Sequence, residues 1–188
     1  QDSRMQYRTF GRTGWQASEI GYGMWGMGGW SGSDDAESLA SLHRAVEGGC
    51  TFYDTALAYG VGHSERLLGQ VGRAHPDRGL VVATKVPPKN RQWPSNPGDR
   101  IRDVFPPDYV LASVQGILRQ LKMESLDLVQ FHVWQDAWAD DEGWQRAAED
   151  VRSQGLARHI GISVMAKSHD TTECTESTSG VLRPASSR

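Results

Sequence analysis

Leu80-Val-Val-Ala-Thr-Lys-Val86 is the stretch that decides the fold of this 188-residue chain. It is a run of β-formers without polar alternation, as expected of a strand covered on both faces of a parallel sheet. Its one charged residue, Lys85, stands near the C-terminal end. Working outward, Thr51–Thr55, Leu126–His132 and Arg158–Val164 read as further short strands. Helical stripes separate them. Leu39, Leu42 and Val46 follow Asp34, which forms a capping box with Glu37, and Gly48-Gly49 close that helix. Leu67, Leu68 and Val71 mark a second helix from near Ser64. Val110, Val114, Ile117 and Leu121 mark a third behind Asp108. Trp144, Ala147, Ala148 and Val151 mark a fourth, which Gly155 can end.

Upstream, residues 7–23 read as two short strands around Gly11-Arg-Thr-Gly14, and Glu19–Gly23 leads into a Trp/Gly/Met-rich loop over 24–33. A Pro/Asn/Arg-rich loop occupies 87–107. The order is a β-hairpin followed by strictly alternating strands and helices, which is the pattern of an α/β parallel sheet. An open doubly wound sheet and a (β/α) barrel both satisfy it. Asp54, Lys85 and His132 choose the barrel, because each stands at or near the C-terminal end of a different strand. Barrel sites converge at that end, whereas an open sheet concentrates its site at one switch point.

A formal charge of −3 gives no reason to expect nucleic acid or an anionic membrane as partner. No apolar run approaches the roughly 18 residues of a membrane span, and no signal-peptide core is visible. Cys50 and Cys174 match no CxxC or zinc spacing, which points to a reducing compartment. The expected localisation is therefore cytoplasmic. His43, His63, His75, His159 and His169 show no metal-ligand spacing, and no metal is expected. After Val164 the pattern stops. Nine of the 24 residues of 165–188 are Ser or Thr, so this segment reads as a disordered tail. Residues 1–5 read as a vector-derived remnant or flexible N-terminus, with 6–164 as the folded unit.

The chemistry lies in Asp54, Tyr59, Lys85 and His132. A free phenol titrates near ~10, and a neighbouring ammonium lowers that value. Lys85 is placed to supply the charge, with Asp54 as its counter-ion. His132 ends Leu-Val-Gln-Phe-His and is placed to hydrogen-bond a carbonyl. The set is proton-donor machinery for an oxyanion and contains no nucleophile, which favours reduction over acyl transfer. Each residue alone has an ordinary reading: Asp54 as a cap, Tyr59 as packing, Lys85 as a snorkelling side chain, His132 as a core histidine. Their fall on consecutive strand ends is what carries weight.

Gly21-Tyr-Gly-Met-Trp-Gly26 matches GxGxxG. A dinucleotide fingerprint needs a helix opening inside the motif, and here Gly28, Gly29 and Gly32 precede a helix near Asp34. The preferred reading is an active-site loop in which Gly23, Met24 and Trp25 face the ligand. Of the seven tryptophans, Trp25, Trp30, Trp134 and Trp138 follow strands on the side of the site. They are candidates to wall an apolar pocket, with Trp25, Trp30 and Trp134 as the substrate-pocket set.

These residues resemble the aldo-keto reductase family. The resemblance rests on Gly11-Arg-Thr-Gly14, Glu19-Ile-Gly-Tyr-Gly23, Trp25-Gly-Met-Gly-Gly29, Phe52-Tyr-Asp-Thr55, Ala58-Tyr-Gly60, Ser64-Glu65, Ala83-Thr-Lys-Val86 and Gly161-Ile-Ser163, in that order. It implies a (β/α)8 barrel with a hairpin across its floor, and NADPH-dependent reduction of a small-molecule carbonyl. By motif, Asp54, Tyr59, Lys85 and His132 are similar to the family's catalytic tetrad, Tyr59 being the general acid. Gly23, Met24, Trp25, Asp54 and Ser163 correspond to cofactor-contacting positions. The chain departs from the family in length. It shows about five strand units, against the roughly 250 residues of a complete barrel. The family's usual Asn after the Ser163 motif is missing from Val164-Met-Ala166. The expectation is an incomplete barrel, open at two sheet edges through which it can self-associate. An NADPH-dependent reductase and an inactive fragment serving as an interaction subunit are the two resulting functions.

Overall fold

The computed structural model describes residues 4–30, 32 and 34–165. Strands β1 (Tyr7–Thr9) and β2 (Gln16–Ser18) form an antiparallel hairpin. Five strands then make a wholly parallel sheet in sequence order: β3 (Tyr22–Gly23), β4 (Phe52–Asp54), β5 (Val81–Val86), β6 (Leu126–His132) and β7 (Ala157–Ser163). Helices α1 (Asp35–Glu47), α2 (His63–Ala74), α4 (Pro107–Leu121) and α5 (Glu142–Ser153) follow β3, β4, β5 and β6 in turn. The Ser/Thr-rich tail expected over 165–188 lies, beyond Met165, outside the described residues. Met5, assigned to a flexible N-terminus, is half-buried against the core.

Strand β5 is central in the sheet, and all six of its residues are buried. That is what its unalternating composition demands. The helical stripes are buried as their spacing requires, with Leu42, Val46, Val71, Val114, Ile117, Ala147 and Val151 all closed to solvent. Asp34 caps α1 by accepting a 2.7 Å hydrogen bond from the Glu37 amide. The hairpin packs at the N-terminal ends of the strands. Ser18 and Thr51 exchange two 2.9 Å bonds, each hydroxyl accepting from the other's amide. The Phe10 ring lies 5.2 Å from Phe52, and Trp15 meets His159 edge-on at 4.8 Å. The opposite, C-terminal end is left open for a site.

Two boundaries differ from the sequence reading. The second hairpin strand is Gln16–Ser18, and Tyr22–Gly23 belongs to the parallel sheet. The loop over 87–107 contains a short helix, α3 (Ile101–Val104). Ile101, Val104 and Phe105 are fully buried, so burial of an apolar trio forms this turn where propensity does not announce it. The glycine-rich stretch settles the dinucleotide motif. Trp25–Gly28 is a single 3-10 turn kinked at Met27, and the first α-helix starts only at Asp35. There is no helix N-terminus inside GxGxxG to receive a pyrophosphate. Among the described residues, no helix is long and apolar enough to cross a membrane, and no group of three or more His, Cys, Asp or Glu is arranged to hold a metal ion.

One acid lies wholly within the fold. Glu65, in the first turn of α2, is closed to solvent, and its Oε1 accepts a 2.5 Å bond from the Thr84 hydroxyl of β5. Its Oε2 has no hydrogen-bond partner. Burial pushes the carboxyl up to about 7, against the lowering effects of the Thr84 bond and of the Arg66 and Lys85 charges. The folded state therefore holds a proton that the unfolded chain releases at a lower pH. Stability is unaffected below the ordinary carboxylate range, falls as pH rises through it towards about 7, and stays reduced above that. Glu65→Gln is expected to flatten this slope. Thermal melts should show the variant gaining on the parent protein between pH 5 and pH 8, and an identical slope in both would exclude an ionising Glu65 as its source.

Candidate active site

The last residues of the parallel strands build the site. Gly23, Asp54, His132 and Ser163 end β3, β4, β6 and β7, and Lys85 is next to last in β5. The register pairs Gly23 with Asp54, Lys85 with Gln130, and His132 with Ser163. Strand ends thus bring together residues that are 31 to 140 positions apart in the chain.

Lys85 is the anchor. It is 6% exposed, and its Nζ donates to Asp54 Oδ1 at 2.7 Å, Asp54 Oδ2 at 2.8 Å and the Thr55 carbonyl at 2.8 Å. An ammonium buried in a central strand is tolerated only with such partners. The chain leaving β4 stays hydrogen-bonded to β5. The Thr55 amide donates to the Ala83 carbonyl at 2.9 Å, and the Leu57 amide to the Lys85 carbonyl at 3.3 Å. This path carries Tyr59 over the lysine, whose Nζ lies 5.3 Å from the centre of the phenol ring. Gly60 then turns with φ +68°, and a Cβ there would meet the Gly28 carbonyl oxygen at 2.5 Å. The Tyr59 turn is therefore seated directly on the glycine-rich turn after β3.

His132 meets Tyr59 edge-on, with ring centres 6.4 Å apart. Its Nδ1 is buried without a hydrogen-bond partner. Burial first, and the Lys85 charge second, lower the imidazole to about 4, so the ring is neutral near neutrality. Tyr59 departs from the sequence expectation. Its phenol is raised, not lowered, because burial and the Asp54 charge both oppose ionisation. Lys85 does not reverse this, since its N–H groups are directed to Asp54 and Thr55 and not to the phenol oxygen. The resting site thus holds a fully protonated tyrosine, a neutral histidine and a closed ion pair.

The other expected residues divide. Trp25 and Trp30 are 63% and 48% exposed, and their rings lie 5.5 Å apart. Trp30 reaches the edge of Tyr59 at 6.1 Å. Gly28 makes room for this, because a Cβ there would lie 2.2 Å from the Trp30 ring. Trp134 does not wall the pocket. It is 7% exposed and packs at 5.7 to 6.1 Å against Trp138, Trp144 and Phe131. Trp138 is buried beside it, with Nε1 donating to the Asp99 carbonyl at 2.7 Å. Apolar rings after a strand have joined the core beneath the loops. Met24 is likewise fully buried in the core, so its side chain is not available to a ligand, unlike exposed Gly23 and Trp25. Asp54 and Ser163 are half-buried at the strand ends. They offer accessible polar groups that suit the amide and ribose of a nicotinamide nucleotide.

Two participants escaped the sequence reading. The Thr55 carbonyl is one, a backbone acceptor that no residue pattern marks. Trp93 is the other, its ring 5.9 Å from His132. Its only signal in the sequence was an aromatic residue within a polar, proline-rich loop.

Residues 19–187 match the model of the Aldo/keto reductase family. The chain is 32% identical over 166 residues to aldo-keto reductase YhdN of Bacillus subtilis, a match covering 85% of this chain and 47% of that protein. It is similar to an aldo-keto reductase from Bacillus halodurans in its holo form, with TM-score 0.69, 24% identity, and coverage of 86% of this chain and 51% of the other. An aldo-keto reductase from Klebsiella pneumoniae in complex with NADPH is also similar, with TM-score 0.63, 25% identity, and coverage of 84% and 49%. The chain spans about half the length of these relatives. Its five parallel strands and their helices are the corresponding part of an aldo-keto reductase barrel. By the extent of the family match, this chain belongs to the Aldo/keto reductase family.

Proposed function

We propose that the site serves NADPH-dependent reduction of an aldehyde or ketone to an alcohol, with Tyr59 as the general acid. One observation carries the reading: the Tyr59 ring, on the turn after β4, stands over the buried, paired Lys85 and edge-on to His132 at the C-terminal ends of the strands. A nicotinamide nucleotide held at this site would supply the two electrons, as a hydride, for the carbonyl carbon. The carbonyl π bond opens as the Tyr59 O–H breaks, and its proton passes to the oxygen. The phenolate left behind is stabilised by the Lys85 charge and takes a proton from solvent before the next turnover. Neutral His132 retains one N–H to donate to the carbonyl oxygen, which orients the substrate. Asp54 holds Lys85 in place. The similarity to a reductase in complex with NADPH supports the choice of nucleotide, and Gly23, Trp25, Asp54 and Ser163 are the residues proposed to hold its nicotinamide end.

A second reading, a non-catalytic interaction subunit, is favoured by the sheet edges. Among the described residues, β3 and β7 each pair on one side only. It expects self-association through those edges, and no change in tryptophan fluorescence on adding NADPH.

Tyr59→Phe removes the proton and leaves the ring packing in place. It is expected to slow reduction of a reactive aldehyde by about 10²–10⁴-fold, followed by loss of NADPH absorbance. Equal rates in the two proteins would falsify the role given to Tyr59. The pH profile is a second check. The rate should hold from neutrality down towards about 4, where His132 becomes charged, and on the alkaline side decline only above the ordinary tyrosine range. A break between pH 6 and 7 would instead mark an unshifted histidine.

A further inference from the structure

We infer that a cleft at the N-terminal ends of the strands, on the face opposite Tyr59, is a second binding site, and that it takes a small aromatic carboxylate. The inference is independent of the reductase reading. The cleft has a volume of about 510 Å³ and opens beside the C-terminal ends of α2 and α4. Val81, Val82 and Asp127, among the first residues of β5 and β6, line it and fix its place at the strand starts. Its size is that of a small-molecule pocket. Leu68, Leu80, Met123 and the Trp15 indole give it apolar walls. The two helices that bound it touch at Gly69, where a Cβ would lie 2.4 Å from the Leu121 carbonyl oxygen. This close contact holds the walls in place.

Charge decides the ligand. Arg73, Lys122 and Arg158 line the cleft against one acid, Asp127, an excess of two positive charges on a chain whose formal charge is −3. Asp127 is already satisfied. Its Oδ2 accepts a 3.0 Å bond from the Val82 amide, and its Oδ1 lies 3.4 Å from Arg158 Nη1. His75 is engaged too, its Nε2 2.7 Å from His43 Nδ1. Arg73 and Lys122 remain, and neither has a carboxylate partner among the described residues. Arg73 Nη1 donates to the Leu121 carbonyl at 3.3 Å, which fixes the guanidinium beside Lys122 and leaves most of its N–H groups free for a ligand. Lys122 caps α4 with φ +54°, a left-handed position that favours glycine. A lysine there carries a conformational cost that glycine would avoid. Two adjacent cations without counter-ions, above apolar walls, match a planar ring bearing one carboxylate. The ring lies against Trp15 and Met123, and the carboxylate between Arg73 and Lys122.

The test is calorimetric titration with 2-naphthoate and its uncharged isostere 2-naphthamide, on the parent protein, Lys122→Gly, Arg73→Gln and Tyr59→Phe. The parent should bind the carboxylate about tenfold more tightly than the amide. Lys122→Gly and Arg73→Gln should each weaken 2-naphthoate about tenfold and leave 2-naphthamide unchanged. Lys122→Gly also relieves the left-handed strain, so its melting temperature should not fall, which separates lost affinity from lost folding. Tyr59→Phe should bind 2-naphthoate as the parent does, whatever its effect on reduction. No binding by the parent, equal binding of carboxylate and amide, or undiminished 2-naphthoate binding by Lys122→Gly overturns the proposal. Place is read from backbone amide NMR shifts on adding 2-naphthoate to the parent. Val82 and Met123 should move, whereas shifts confined to Gly23, Tyr59 and Ser163 would put the ligand at the opposite face and overturn the second site.

Discussion

The structure depends on one buried ion pair. Lys85 occupies the central strand of the sheet, 6% exposed, where an unpaired ammonium would be strongly destabilising. Asp54 and the Thr55 carbonyl satisfy it from the neighbouring strand. Meeting that need fixes the path of the chain beyond β4, because the residue after Asp54 must stay close to β5 to offer its carbonyl. The next turn then lies over the lysine, and Tyr59 is on it. One electrostatic requirement thereby positions Tyr59, the ammonium beneath it and the glycine turn on which the loop rests.

The same pair sets the protonation states around it. Lys85 is drawn to Asp54, so the phenol above it experiences burial and a nearby carboxylate more than a free cation. The role proposed for Tyr59 requires a protonated phenol, and this arrangement keeps it so. In the proposed reaction, the Lys85 charge would act after the proton has left, on the phenolate formed over it. His132 is kept neutral by burial and by that same charge, which leaves its ring one N–H to donate.

Asp54, Lys85 and His132 were legible in the sequence because each stands at or near the end of a separate apolar run that reads as a strand. Tyr59 was legible because it lies five positions past Asp54, a separation one turn can span. The aromatic residues were not. Trp93 and Trp134 both follow strands in loops, yet the sequence reading placed Trp134 in the pocket and gave Trp93 no role. Their fates separate through contacts that no local pattern encodes. Trp134 meets Phe131, Trp138 and Trp144, with α3 adding Ile101 and Val104 to the same core. Trp93 projects from the far side of the loop onto His132. The direction of the Tyr59 shift was hidden for a related reason. The presence of a lysine can be read from the sequence, but how completely its N–H groups are committed elsewhere cannot.

Strand β5 carries polar groups on both faces and solves them in opposite ways. Successive residues of a strand point to opposite sides, so Thr84 faces α2 while Lys85 faces the site. On the site face, the ammonium stays charged because Asp54 reaches it from a half-buried position that water still touches. On the helix face, Glu65 has only the Thr84 hydroxyl, and its second oxygen meets no donor. It remains mostly neutral up to about 7, despite the positive charge of Lys85 across the strand. A carboxylate there would place a second negative charge near Lys85, in competition with Asp54 for its field. The lysine's orientation towards the face that bears Tyr59 is fixed by its bonds to Asp54 and the Thr55 carbonyl.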